Sequence, residues 1–125
     1  MVPLDIPQTS STPLINFEQT TGVLSISGES YPENSFDFYA PIISWLKVSL
    51  SECRELTLDI SITYMNSSST KCTFDIIDLM EDAYARGVKT SIIWRYDSEN
   101  PRSYEMAEDF REEVTFPFDI EVLHK

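Results

Sequence analysis

The sequence predicts an α/β protein built on a single mixed β-sheet, with elements in the order β-β-α-β-α-β-α-β and helices mainly on one face. Three observations carry that reading. Residues 55–64 alternate apolar and polar side chains, the period of a half-buried strand. Residues 36–50 and 69–85 instead repeat their apolar positions at helical spacing. Strand-like and helix-like stretches then take turns to the end of the chain, which favours parallel pairing through right-handed crossovers.

Residues 1–12 contain Pro3 and Pro7 and a Thr/Ser run at 9–12, and read as a flexible or surface-hugging tail to one domain spanning 1–125. Leu14, Ile15 and Phe17 form a first strand, Thr21-Gly22 a turn, and Val23, Leu24 and Ile26 a second strand, together an opening hairpin. Gly28 to Ser35 is loop chemistry leading into a helix, with Ser30 and Asn34 as candidate caps. Phe36, Tyr39, Ile42, Ile43, Leu46 and Leu50 mark that helix, and Pro41 should bend it or mark the start of its regular part. In the central strand Leu56, Leu58, Ile60, Ile62 and Tyr64 fall on one face, opposite Thr57, Asp59, Ser61 and Thr63. The second helix runs from about Ser69 to Ala85 and stops at Gly87. Lys89–Trp94 is the next strand, 97–102 a turn, and Tyr104, Met106, Ala107 and Phe110 lie on a helix ending near Glu113. Ile120–Leu123 closes the sheet.

Composition narrows the function. With 42% hydrophobic and 12% aromatic residues the chain can bury a core and is not disordered. A net charge of −12 repels phosphate backbones, so no nucleic acid is expected as a partner. No apolar run approaches the ~18 residues of a membrane helix, and residues 1–13 lack the pattern of a secretory signal. No membrane association is expected, and the expected location is cytoplasmic. Cys53 and Cys72 have neither CxxC spacing nor a neighbouring His, and read as reduced, partly buried small hydrophobes. The single histidine, His124, is penultimate, which leaves triad chemistry without a base. No catalytic residue, metal or cofactor is expected.

The polar hexad Asn66-Ser67-Ser68-Ser69-Thr70-Lys71 lies between the central strand and the second helix. Free amides and the dipole at a helix N-terminus favour an anion there. Two readings stay open: plain N-capping, which needs one hydroxyl, and a phosphoacceptor or phosphate-binding site, which would use more of the four. The hexad is no Walker loop, since it has no glycine and Lys71 follows Thr70. Asp75, Asp78 and Asp82 line one face of the helix and read as solvated surface, although Asp75 and Asp78 with Glu29 are the basis for an alternative, a small carboxylate- or metal-dependent hydrolase. Tyr31, Phe36, Phe38, Tyr39 and Trp45 cluster around the first helix and read mostly as core, while the polar stretch 29–34 suggests a functional loop.

The blocks Gly28-Glu29-Ser30-Tyr31-Pro32-Glu33-Asn34-Ser35, Trp45-Leu46, Tyr64 to Lys71, Asp75-Ile76-Ile77-Asp78-Leu79, Trp94-Arg95-Tyr96, Phe110-Arg111-Glu112-Glu113 and Phe116-Pro117-Phe118 resemble the SiaC family. The resemblance runs from about Ile6 to Val122. These are small bacterial phosphoproteins related in fold to STAS-domain anti-sigma-factor antagonists. The resemblance implies a STAS-like, non-enzymatic partner switch. A dedicated Ser/Thr kinase of the anti-sigma-factor type would phosphorylate it, and a PP2C-like phosphatase would reverse this. The unmodified form would bind and activate a diguanylate cyclase, raising cyclic-di-GMP and favouring aggregation or biofilm. The family's acceptor is the hydroxyl residue after the loop Asn, here Ser67, with Ser68 as alternative. The family pattern carries Thr at this place, so Ser67 departs from it by one methyl group. The partner surface would comprise Tyr31, Pro32, Glu33, Asn34, Asn66, Ser67, Ser68, Ser69, Thr70 and Lys71. A generic STAS-like anti-sigma-factor antagonist is the other form of this reading.

Overall fold

A computed structural model describes residues 3–123. The elements are β1 (Asp5–Ile6), β2 (Leu14–Glu18), β3 (Val23–Ser30), α1 (Ser35–Glu52), β4 (Glu55–Met65), α2 (Ser67–Ala85), β5 (Lys89–Tyr96), α3 (Pro101–Arg111) and β6 (Phe118–Val122). They form one six-stranded sheet whose strands lie side by side in chain order. β1–β2 and β2–β3 pair antiparallel, and β3 to β6 pair parallel. Each helix therefore joins adjacent parallel strands. Crossovers of one hand place all three helices on one face.

Burial agrees with that layering. Leu24, Ile26, Leu56, Leu58, Ile60, Ile62, Ile92 and Trp94 point into the helix layer and are buried. They meet Tyr39, Ile42, Leu46 and Leu50 of α1, Cys72, Ile76, Ile77 and Met80 of α2, and Ala107 and Phe110 of α3 in one core. Trp94 stacks beside Phe118 and packs on Phe110, at ring separations of 6.5 and 5.2 Å. Fully burying each such Leu or Ile contributes roughly 1.5–3 kcal/mol, and several of them together offset the cost of about 3 kcal/mol for Pro41 inside α1. The other face of the sheet is polar. There Arg95 makes a forked contact with Asp59 at 3.1–3.3 Å and reaches Glu121 at 3.2 Å.

Several boundaries differ from the sequence reading. Asp5–Ile6 adds an edge strand on β2, because the tail's backbone finds partners there: Phe17 N–H also donates to Leu4 at 2.9 Å. The order thus gains one strand. α1 starts before Pro41, at Ser35. α3 takes Pro101 into its first turn, where the missing N–H costs nothing, and ends at Arg111; β6 starts at Phe118.

Two differences shape the end of the sheet beyond β3 and β4. Gly28, Glu29 and Ser30 are strand, not loop, and Ser30 is fully buried, so it caps nothing. Beyond Gly28↔Ile62 the register shifts to Glu29↔Tyr64, which leaves Thr63 as an extra residue in β4. That bulge reverses the alternation. Met65 turns inward at 6% exposure, and Tyr64, which alternation assigns to the buried face, stands 52% exposed.

Candidate functional site

The parallel pairing of β3 with β4 sets the N-termini of α1 and α2 side by side. Asn66 N–H donates to Ser30 at 3.0 Å, and Tyr31 N–H reaches back to Ser11 at 2.8 Å. The loops 31–34 and 66–68 therefore share one end of the sheet, as the β-α-β layout requires.

Asparagine, not serine, caps both helices. Asn34 accepts from Asp37 N–H at 3.1 Å, and Asn66 Oδ1 accepts from Ser69 N–H at 2.9 Å. α2 consequently begins at Ser67, two residues before the position its apolar period suggests. The apolar period starts later because the first turn carries only hydroxyls.

Those hydroxyls divide by environment. Ser67 is exposed, and no hydrogen bond of its side chain occurs among the described residues. Ser68 is half-buried, with Oγ 2.8 Å from Ser35 Oγ and 3.3 Å from Asn66 Oδ1. Ser69, expected on the partner surface, is fully buried, and its Oγ lies 2.9 Å from Ser30 and 3.0 Å from Ser35. It turns inward because its position follows the α2 core stripe of Cys72, Thr73 and Ile76. Thr70 Oγ1 donates to the Asn66 carbonyl at 3.0 Å. Tyr39 completes the buried set, 2.6 Å from Ser30 Oγ, and burial pushes its phenol pKa above the ordinary value.

Exposed aromatic side chains gather at this end of the sheet. Tyr31 and Tyr64 meet edge to face at 5.9 Å, and the Lys71 ammonium sits 5.7 Å above the Phe36 ring. Tyr31, Phe36 and Tyr64 are 41%, 52% and 52% exposed. Phe38, Tyr39 and Trp45 pack toward the core as expected, whereas Tyr31 and Phe36 do not. Pro32 is half-buried, and Glu33 and Asn34 are exposed. Sequence reasoning missed Tyr64, Ser35 and the bulge. A Gly at 28 opposite an uninterrupted alternation was the one available signal.

The carboxylates singled out for a hydrolase are not brought together. Glu29 leaves β3 on the side opposite buried Ser30, while Asp75 and Asp78 line a shallow hollow with Ile43, Lys47 and Leu79 between α1 and α2. Among the described residues no group of three or more His, Cys, Asp or Glu is placed to hold a metal. His124 lies outside the described residues. Cys53 and Cys72 are free, and burial pushes both thiols up, away from reactivity. A larger cleft of about 530 Å³ lies at the opposite end of the sheet, lined by Arg54, Glu55, Arg86 and Lys89. Arg54 and Arg86 follow the C-termini of α1 and α2, where cations answer the helix dipoles, and we place no chemistry there. Among the described residues no helix is long and apolar enough to cross a membrane.

The model of the SiaC family, regulatory phosphoproteins, matches residues 6–123. The chain belongs to the SiaC family. Its fold superposes on the crystal structure of apo-SiaC from Pseudomonas aeruginosa with a TM-score of 0.92 at 43% identity, covering 98% of this chain and all of that one. It matches equally the SiaC of that organism solved as activator in complex with the diguanylate cyclase SiaD. There the TM-score is 0.91 at 44% identity, over 96% of this chain and 99% of the other. An uncharacterised protein of Pseudomonas aeruginosa is 44% identical over 122 residues, 97% of each chain.

Proposed function

We propose that this protein is a cytoplasmic, non-enzymatic partner switch whose unphosphorylated form binds and activates a diguanylate cyclase. In this reading a dedicated Ser/Thr kinase modifies Ser67, a PP2C-like phosphatase restores it, and cyclic-di-GMP output follows. Aggregation or biofilm formation is then the process under control. The observation that carries the reading is the likeness, over nearly the whole chain, to a protein solved as the activator of a diguanylate cyclase. The exposed Ser67 at the first position of α2 supports the regulatory half.

The physical mechanism follows from that position. A phosphoryl group adds roughly −1.5 to −2 charge and three strong acceptors. The first turn of α2 holds no acidic residue, so the helix amides and dipole receive the new charge with no carboxylate of that turn to oppose it. The fold stays intact while the surface shared by Tyr31, Glu33, Asn34, Ser67 and Lys71 changes charge and shape. A partner resting there loses its fit. The same surface would serve a STAS-like antagonist of anti-sigma factors, and the partner's identity separates the two.

Pull-down from cell extract, with the unmodified and the Ser67-phosphorylated protein as paired baits, tests the proposal. A diguanylate cyclase recovered by the unmodified bait alone is the expected result. Equal recovery by both baits, or recovery of an anti-sigma factor in place of the cyclase, overturns it.

A further inference from the structure

We propose that the buried hydroxyl chain between α1 and α2 determines which serine of the run is phosphorylated, with Ser35 as the specificity-determining residue. The inference rests on the phosphoacceptor reading above and deepens it. It starts from proton counting. Each hydroxyl has one hydrogen to donate. Ser30 donates to Ser69 at 2.9 Å, so the 2.6 Å contact between Ser30 and Tyr39 must be a donation from the phenol. Burial, which keeps Tyr39 protonated, fits that role. Ser69, having accepted from Ser30, donates onward to Ser35 at 3.0 Å. Ser35 and Ser68 lie 2.8 Å apart, and each can donate across that contact or to Asn66 Oδ1, which is 3.4 Å from Ser35 and 3.3 Å from Ser68. The chain ends there on a group that only accepts, and the same oxygen caps α2.

Every arrangement that satisfies the members runs from Tyr39 through Ser30 and Ser69 to Ser35 and ends on Asn66 Oδ1, with the Ser68 proton committed to Ser35 or to Asn66. The consequence for group transfer is direct. In the kinase step a serine Oγ attacks the γ-phosphorus of a nucleoside triphosphate. The new O–P bond forms, the bond to the nucleoside diphosphate breaks, and the hydroxyl proton passes to a base of the kinase. Ser67 enters that step with its hydroxyl free and exposed. Ser68 must first leave Ser35 and Asn66, exposing a half-satisfied chain, and Ser69 is sealed in the core. Three adjacent serines thus present one nucleophile. Ser35 holds Ser68 directly, whereas the Ser69 hydroxyl reaches Ser68 through Ser35.

The test is in vitro phosphorylation by the organism's own dedicated kinase, with site occupancies read by mass spectrometry and folding checked by circular dichroism. In the unaltered protein, Ser67 should carry at least tenfold more phosphate than Ser68. Ser67→Ala should leave Ser68 essentially unmodified. Ser67→Ala with Ser35→Ala should raise Ser68 modification at least fivefold. Ser67→Ala with Ser69→Ala, which keeps the Ser35–Ser68 contact, should not. Efficient modification of Ser68 in Ser67→Ala alone overturns this inference and leaves the phosphoacceptor reading standing. Equal modification of both serines in the unaltered protein also overturns it, with no variant needed. Absence of phosphate from both serines overturns the phosphoacceptor reading, and the inference falls with it.

Discussion

Replacing Ser67 by Asp should stabilise the fold while weakening the partner, and the opposite signs make the experiment decisive. Ser67 is the first residue of α2, and no acidic side chain occupies that helix's first turn. A carboxylate placed there meets unpaired amides and the positive end of the dipole, worth about 0.3–1 kcal/mol at low salt. Asp at 67 and Lys71 would also stand i,i+4, but Lys71 already lies over Phe36, so only the dipole is counted. For a chain of this size that gain corresponds to about 1–4 °C in Tm. Ser67→Ala should be nearly neutral, within about 0.5 kcal/mol, because the cap belongs to Asn66. Asn66→Ala removes the cap and the end of the hydroxyl chain, and should cost about 0.5–2 kcal/mol. Thermal melts at low salt should therefore rank Asp above Ala at 67, and both above Asn66→Ala, with the Asp gain shrinking at high salt. Calorimetric titration against the diguanylate cyclase should rank the two variants at 67 the other way, Ala binding and Asp weakened. An Asp variant that melts below Ala refutes the dipole argument. An Asp variant that binds as tightly as Ala refutes the electrostatic switch.

Two further outcomes follow from the core of the site. Tyr39→Phe removes the donor at the head of the hydroxyl chain and should cost about 0.5–1.5 kcal/mol at neutral pH. Because burial raises the phenol pKa in the folded state, Tyr39's contribution is whole below its unfolded value, 10.0, and fades as pH rises toward the folded one. Urea unfolding of both proteins from pH 8 to 11 should show a steeper alkaline loss in the unaltered protein; parallel curves would contradict the burial argument. Gly28→Ala places a Cβ at φ +117° and 2.7 Å from the Gln8 amide nitrogen. Gln8 can swing away but the backbone strain stays, so urea unfolding should register a loss of at least about 1 kcal/mol.

The sequence by itself determined the layers and the direction of the sheet. Period-two and period-3.6 patterns are local consequences of which face is dry, and here the faces of β4 and α2 are written in full by Leu56 to Ile62 and Cys72 to Met80. Gly22 and Gly87, both at positive φ, likewise end their elements where local chemistry requires. The polar hexad was legible as a helix N-terminus for the same reason. What lay beyond the sequence was every feature that depends on a neighbour far along the chain. Asp5–Ile6 is a strand only because β2 offers it an edge. Tyr64 faces solvent only because the register with β3 slips after Gly28. Three consecutive serines look alike in sequence, yet one is exposed, one is tied to Ser35 and one is sealed beside Ser30. Ser35 lies 33 residues from Ser68 in the chain, and only parallel pairing of β3 with β4 brings the two hydroxyls to 2.8 Å. Local pattern fixes which face of an element is buried; hydrogen-bond partners are assigned by packing, and packing is decided by the whole chain.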